Sequence, residues 1–134
     1  MQAENAAPDL FQAVVEQAPD AMIYADREGA IQLWNRAAEA VFGYAAAEVV
    51  GKSLDVIIPE RFRPAHWAGF ARAVESGATR LGNRVLTTRS VHKDGRRLYV
   101  DLSFGLVKDA GGAVVGVLAI GRDVTEQRSN AANR

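Results

Sequence analysis

The order of elements legible in this chain predicts an α+β fold, an antiparallel sheet with helices over one face. Two observations carry that expectation. Leu98, Val100, Leu102, Phe104 and Leu106 alternate with Tyr99, Asp101, Ser103, Gly105 and Val107, a period of two with one apolar and one mixed face. Three turn-forming groups, Asp26-Arg27-Glu28-Gly29, Lys93-Asp94-Gly95 and Asp109-Ala110-Gly111-Gly112, each separate two apolar runs closely enough to make hairpins.

The elements follow in order. Leu10, Phe11, Val14, Val15 and Ala18 recur at helical spacing, with Asp9 as a cap and Pro19 beyond the end. Ala21 to Ala25 and Ile31 to Trp34 read as paired strands, with Gly29 free to take a positive φ between them. Asn35 caps a helix from Arg36 to Phe42 that stops at Gly43. A short helical stretch spans Ala45 to Val50, and Ser53 opens another turn. Pro59 marks the start of the longest helix, Glu60 to Glu75, closed by Gly77. The last third is β: Arg80 to Val91, the alternating run, then Ala113 to Ile120, apolar on both faces as a central strand is. A long helix over such a sheet leaves space between the two.

Length and composition bound the function. The chain has 134 residues, 49% of them hydrophobic, enough for one domain with a real core. Residues 1–8 read as a tail, 9–127 as the domain, and 128–134 as a tail or the start of a linker. Lys plus Arg equals Asp plus Glu at 16 each, so no basic stripe tracks a phosphate backbone, and direct nucleic-acid binding is not expected. The longest apolar run is too short for a bilayer, and Met1 to Pro8 lacks the regions of a signal peptide, so a cytoplasmic location without membrane contact is expected. The chain contains no cysteine, which excludes disulfides, thiolate metal sites and a cysteine nucleophile. With only His66 and His92, no Ser–His–acid order, no phosphate loop and no metal-ligand spacing, an enzyme is not expected.

Several local groups together resemble the PAS family: Asp26 to Gly29, Trp34-Asn35-Arg36-Ala37-Ala38-Glu39, Phe42-Gly43-Tyr44, Val50-Gly51-Lys52, Lys93 to Arg96, and Gly121 to Glu126. The resemblance covers Leu10 to Gln127. It implies a five-stranded antiparallel sheet in the order 2-1-5-4-3 with helices on one face. It also implies a role in signal transduction or transcription regulation, frequent dimerisation, and transmission through Asp123 and Thr125. An effector, kinase or regulator would then lie on another chain or on the remainder of a longer one. Ala45 stands where the family carries a serine-like cap, so a ragged helix is expected after Tyr44.

The resemblance extends, more weakly, to the oxygen-sensing haem branch. It implies His66 as the ligand of haem b iron, with Phe62 and Phe70 on its helical face, Arg72 and Arg80 near the propionates, Arg84 on the distal side, and Leu81, Leu102 and Phe104 along the distal wall. A neutral imidazole in an apolar cleft suits haem iron. The light-sensing branch uses a cysteine on the helix facing the sheet. With none here, and Gly82-Asn83-Arg84 unlike its flavin signature, flavin is not expected.

Three alternatives stay open: haem, a small organic ligand whose carboxylate meets Arg84 or His66, and no ligand, the module then serving only protein contacts or dimerisation. Each apolar wall residue also has a plain reading as core, and His66 as a hydrogen-bonded core or rim histidine. His92, beside a turn, reads as solvated, and Trp34 and Asn35 as structural. Leu10, Phe11, Val14 and Val15 either cover the outer face of the sheet or form a seam with a second copy, the homodimer being the expectation.

Overall fold

The computed structural model describes residues 9–79, 82 and 84–132. The chain forms helix α1 (Leu10–Gln17), strands β1 (Ala21–Asp26) and β2 (Ile31–Trp34), helices α2 (Arg36–Phe42) and α3 (Ala46–Val49), 3-10 turns at Leu54–Ile57 and Glu60–Phe62, helix α4 (Arg63–Ser76), strands β3 (Leu86–Val91), β4 (Arg97–Lys108) and β5 (Val114–Asp123), and helix α5 (Thr125–Ala132). The sheet order is β2-β1-β5-β4-β3, with every neighbouring pair antiparallel. This is the expected α+β architecture.

The core lies between α2, α3 and the β1–β2 side of the sheet. Ile31, Ala38 and Phe42 are fully buried, with Ala21, Ile23, Trp34 and Val49 beside them. The small side chains of Ala21 and Ala38 let helix and sheet approach closely, and Phe42 fills the space between, its ring centroid 5.4 Å from that of Trp34. Asn35 is the buried polar hub of this half. Its Oδ1 accepts from Met22 N–H and Ala38 N–H, and its Nδ2 donates to the carbonyls of Val15 and Asp20. One side chain thus caps α2, ties α1 to β1 and satisfies backbone groups that burial would otherwise orphan.

Four expectations need correction. The longest helix starts later than expected: Glu60–Phe62 is a 3-10 turn, and the α-helix begins at Arg63, where Pro64 sits in the first turn. Proline lacks the N–H that an interior position needs, so that turn is where it fits. Strand β3 is shorter than expected. Its ladder to β4 ends at the pair Leu86–Leu102, and Arg84 and Val85 lie outside it.

The helix after Tyr44 is short but well capped. Ala45 has no side-chain acceptor, yet Glu48 accepts from Ala45 N–H and Glu39 from Ala46 N–H, each at 2.8 Å. Finally, His92 is not solvated: its side chain is only 14% exposed. Its ring lies against Gly43, which ends α2 at φ +84°; a Cβ there would come within 2.3 Å of the imidazole. Only glycine meets both demands at this position.

Candidate functional site

Helix α4 touches β5, yet none of its residues is buried. Beneath the β4–β5 half of the sheet the inner face is unfinished. Leu98 and Val100 are buried, but Leu102, Phe104 and Leu106, continuing the same row, are only half-buried. Across from them on β5, Ala119 pairs with Phe104 and Gly121 with Leu102. This half-buried stretch of the row is the inner face that the expected cleft would use.

His66 sits on α4 in an aromatic setting. Its ring centroid is 4.6 Å from that of Trp67 and 6.0 Å from that of Phe70. Its Nδ1 is buried and has no hydrogen-bond partner. Burial pushes the imidazole below the usual histidine range, and the Asp55 carboxylate opposes that only in part. His66 is therefore neutral at pH 7, the state in which an imidazole nitrogen keeps a lone pair for a ligand.

Trp67 fixes the helix at this point. Its Nε1 donates to Asp55 Oδ1 at 2.7 Å, and its ring lies over Gly29 of the β1–β2 turn, where φ is +84° and a Cβ would come within 2.2 Å of the ring. Arg63 adds to the same anchor, donating to the carbonyls of Ile58 and Asp55. The side of α4 facing the β1–β2 turn carries an open groove of about 280 Å³ lined by Arg27, Glu28, Trp67, Phe70 and Val74 among others. Neither Trp67 nor Asp55 stood out in the sequence. The only trace was an indole adjoining the singled-out histidine.

The other expected site residues are distributed unevenly. Phe70 joins the His66–Trp67 cluster, whereas Phe62 stands apart from it, 38% exposed and held between two guanidinium groups, Arg61 at 4.8 Å and Arg89 at 5.6 Å from the ring centroid. Arg72 and Arg84 are exposed. Leu102 and Phe104 lie on the inner sheet face, as expected. Arg80 and Leu81 lie outside the described residues.

At the exit of β5, Asp123 and Thr125 form one small knot. Asp123 Oδ1 accepts from Thr125 N–H and from the Thr125 hydroxyl. Thr125 Oγ1 in turn accepts from Tyr99 N–H at 2.8 Å, and Val124 N–H donates to the Tyr99 carbonyl at 2.8 Å. The start of α5 is thereby fastened to the backbone of β4. Asp123 caps the first N–H of α5, and Thr125 ties that helix start to the sheet.

On the opposite end of the chain, α1 leaves its apolar residues uncovered: Leu10, Phe11 and Val14 are 68%, 79% and 58% exposed. They do not cover the sheet. Among the described residues no helix is long and apolar enough to cross a membrane.

Comparison with known proteins agrees with this geometry. The family model for the PAS fold matches residues 9–124. The oxygen sensor protein DosP of Escherichia coli is 30% identical over 123 residues, 92% of this chain but 15% of DosP. The sensor protein FixL of Bradyrhizobium diazoefficiens is 31% identical over 103 residues, 75% of this chain and 20% of FixL. The chain thus spans about a fifth or less of either relative. Among solved structures, the PAS domain of a Colwellia psychrerythraea protein superposes with a TM-score of 0.75 at 23% identity, covering 87% of this chain and 95% of that one. A light-oxygen-voltage domain studied with a flavin analogue superposes at 0.67 and 20% identity, covering 95% and 93%. These last two likenesses speak for the fold alone. The missing cysteine removes the covalent adduct and does not by itself exclude flavin binding.

Proposed function

The chain belongs to the PAS family of sensory domains, and from that premise we propose that it senses a small ligand held between α4 and the inner face of β4 and β5, with haem as the ligand and His66 as the residue that would hold its iron. One observation carries the choice of haem: a neutral histidine with an unpartnered buried nitrogen, set among Trp67 and Phe70. The donor set fits, because haem iron takes an imidazole and its macrocycle takes apolar walls. The likeness to the oxygen sensor protein DosP supports the same reading.

When bound, haem supplies an iron centre that answers to diatomic gases. The chain's own residues do the rest. His66 would hold the group, Trp67 through Asp55 fixes the helix that carries His66, and Leu102 and Phe104 would supply apolar wall. Arg72, exposed on α4, would meet a propionate, and Arg84, exposed in the segment before β3, would meet a bound anion or gas. Binding changes the packing of α4 against the sheet, and Asp123 and Thr125 pass that change to α5 and to whatever follows it.

The apolar residues of α1 support a homodimer built through that helix. The resulting signal acts on a partner domain, in the same chain or another.

The deciding experiment is an absorption spectrum of purified protein before and after adding haemin, on wild type and His66→Ala. A sharp Soret band that needs His66 and shifts with carbon monoxide after reduction is the expected result. Loose uptake that does not depend on His66 would sink the haem reading and leave an organic ligand, a non-covalent flavin, or a module serving only protein contacts. A fluorescence titration with riboflavin monophosphate separates the second of these from the others.

A further inference from the structure

The two parts of the proposed sensor, cleft and exit, are joined by a chain of side chains on the edge of the sheet. Phe62 closes the 3-10 turn that leads into α4, and the Arg89 guanidinium lies 5.6 Å from its ring centroid. The same guanidinium lies 5.9 Å from the ring of Tyr99, its cross-strand partner on β4. Arg128 of α5 lies 5.1 Å from that ring on its own account. Tyr99 is thus gripped twice by the exit segment, once by its ring and once by its backbone, through Val124 and Thr125.

Two further observations point at Arg89 as a movable member. Its Nε is buried without a hydrogen-bond partner, so that atom does not tie the guanidinium to this one arrangement. Both of its ring contacts lie near the outer limit of a cation–π interaction, so a small displacement of either ring changes them. Arg97 adds a third cation at the same phenol and holds its proton affinity below the usual tyrosine range. No carboxylate pairs with Arg89, Arg97 or Arg128 among the described residues.

We propose that Arg89 and Tyr99 are positioning residues that couple the cleft to the exit helix: movement of Phe62 with α4 shifts Arg89 between the Phe62 and Tyr99 rings, and so changes how firmly Tyr99 holds α5 through Arg128. This rests on the reading that the cleft is the sensing site. The two-state element is α5, docked against β4 or released from it. The knot at Asp123 and Thr125 sets where α5 begins, and the Arg89–Tyr99–Arg128 row sets how tightly its first turn lies down.

The test needs no ligand, so it stands apart from the haemin spectrum. Backbone hydrogen exchange of residues 126–132 is measured in the protein without haemin, for Phe62→Leu, Arg89→Met and the double variant. Phe62→Leu is expected to change α5 exchange by about two- to fivefold, the size of one exposed cation–π contact. The same substitution in the Arg89→Met background is expected to change nothing. Equal effects in both backgrounds, or none in either, would overturn the coupling. Tyr99→Phe keeps the ring and is expected to exchange like wild type, while Tyr99→Leu exchanges faster. If both behave alike, the ring is not the contact that matters. Should Arg89→Met fail to fold, Arg89→Gln runs the same cycle. A failed Soret band with a positive cycle removes haem and keeps the coupling; the reverse result does the opposite.

Discussion

On the β1–β2 side of the sheet, Ala21, Ile23, Ile31 and Trp34 are each at most 4% exposed under α2 and α3. On the β4–β5 side, Leu102, Phe104 and Leu106 stay half-buried, and no residue of α4 is fully buried. Both halves belong to one sheet and have similar apolar content. They differ in what faces them. In the first half, alanines on both surfaces allow close approach, and Phe42 fills the remaining volume. In the second, α4 is anchored at its start by Arg63 and by Trp67, and the row stays half-exposed. The finished half supplies stability, and the unfinished half supplies room.

The sharpest way to break this comparison is to truncate one phenylalanine in each half. Phe42→Ala is expected to cost about 3–5 kcal/mol, since a fully buried ring leaves a cavity that cannot collapse. Phe104→Ala is expected to cost about 1–2 kcal/mol, because part of its surface is already wet. Urea unfolding of both variants checks the ratio, and equal losses would mean the halves are packed alike.

Next in size, Asn35→Ala is expected to cost about 3 kcal/mol. It removes a helix cap and strands buried backbone groups of Met22, Val15 and Asp20. A melting temperature lowered by only a degree or two would show that water replaces the amide.

Enlargement tests the same contrast from the other direction. Ala21→Leu overfills the finished half and is expected to cost about 1–3 kcal/mol. Ala119→Leu, opposite Phe104 in the cleft, is expected to change stability by under about 1 kcal/mol and to abolish haemin uptake. Thermal melts and the Soret titration read the two effects separately.

The smallest expected effect concerns pH. Burial lowers the folded-state affinity of His66 for a proton, so below about pH 6.5 the unfolded chain binds a proton that the folded chain does not. Stability therefore falls as the pH drops from the unfolded histidine value toward the lower folded one. His66→Phe removes that component, so the loss between pH 7.5 and 5.5 should shrink. An unchanged pH slope would show that His66 stays solvated.

Much of the fold was legible because its determinants are local. Period-two alternation marked β4, a cap before Ala38 marked α2, and Gly29 and Gly43 marked turns that need positive φ. What stayed hidden depends on partners distant in sequence. His92 adjoins a turn, which suggests exposure, yet it is covered by a helix end about fifty residues earlier. Glu48 and Glu39 supply a cap that Ala45 cannot, which a motif-by-motif reading misses. In the site, His66 was legible from its neighbours on the helix. Trp67 draws its role from Asp55 and Gly29, Arg89 from Phe62 and Tyr99, and no spacing rule announces such meetings.

The contact between His92 and Gly43 also sets how the edge of the sheet is held. Lys93 N–H donates to the Phe42 carbonyl at 2.9 Å, and Lys93 pairs with Glu48, so the β3–β4 turn is pinned to the end of α2 and to α3. At the other end of β3, Val85 and Leu86 are 63% and 43% exposed. The edge strand is therefore held differently along its length: at its turn by α2 and α3 as well as by β4, and near Leu86 by its ladder and threonine hydroxyls to β4. Its outermost corner is fixed to the finished half of the domain through an imidazole resting on a glycine.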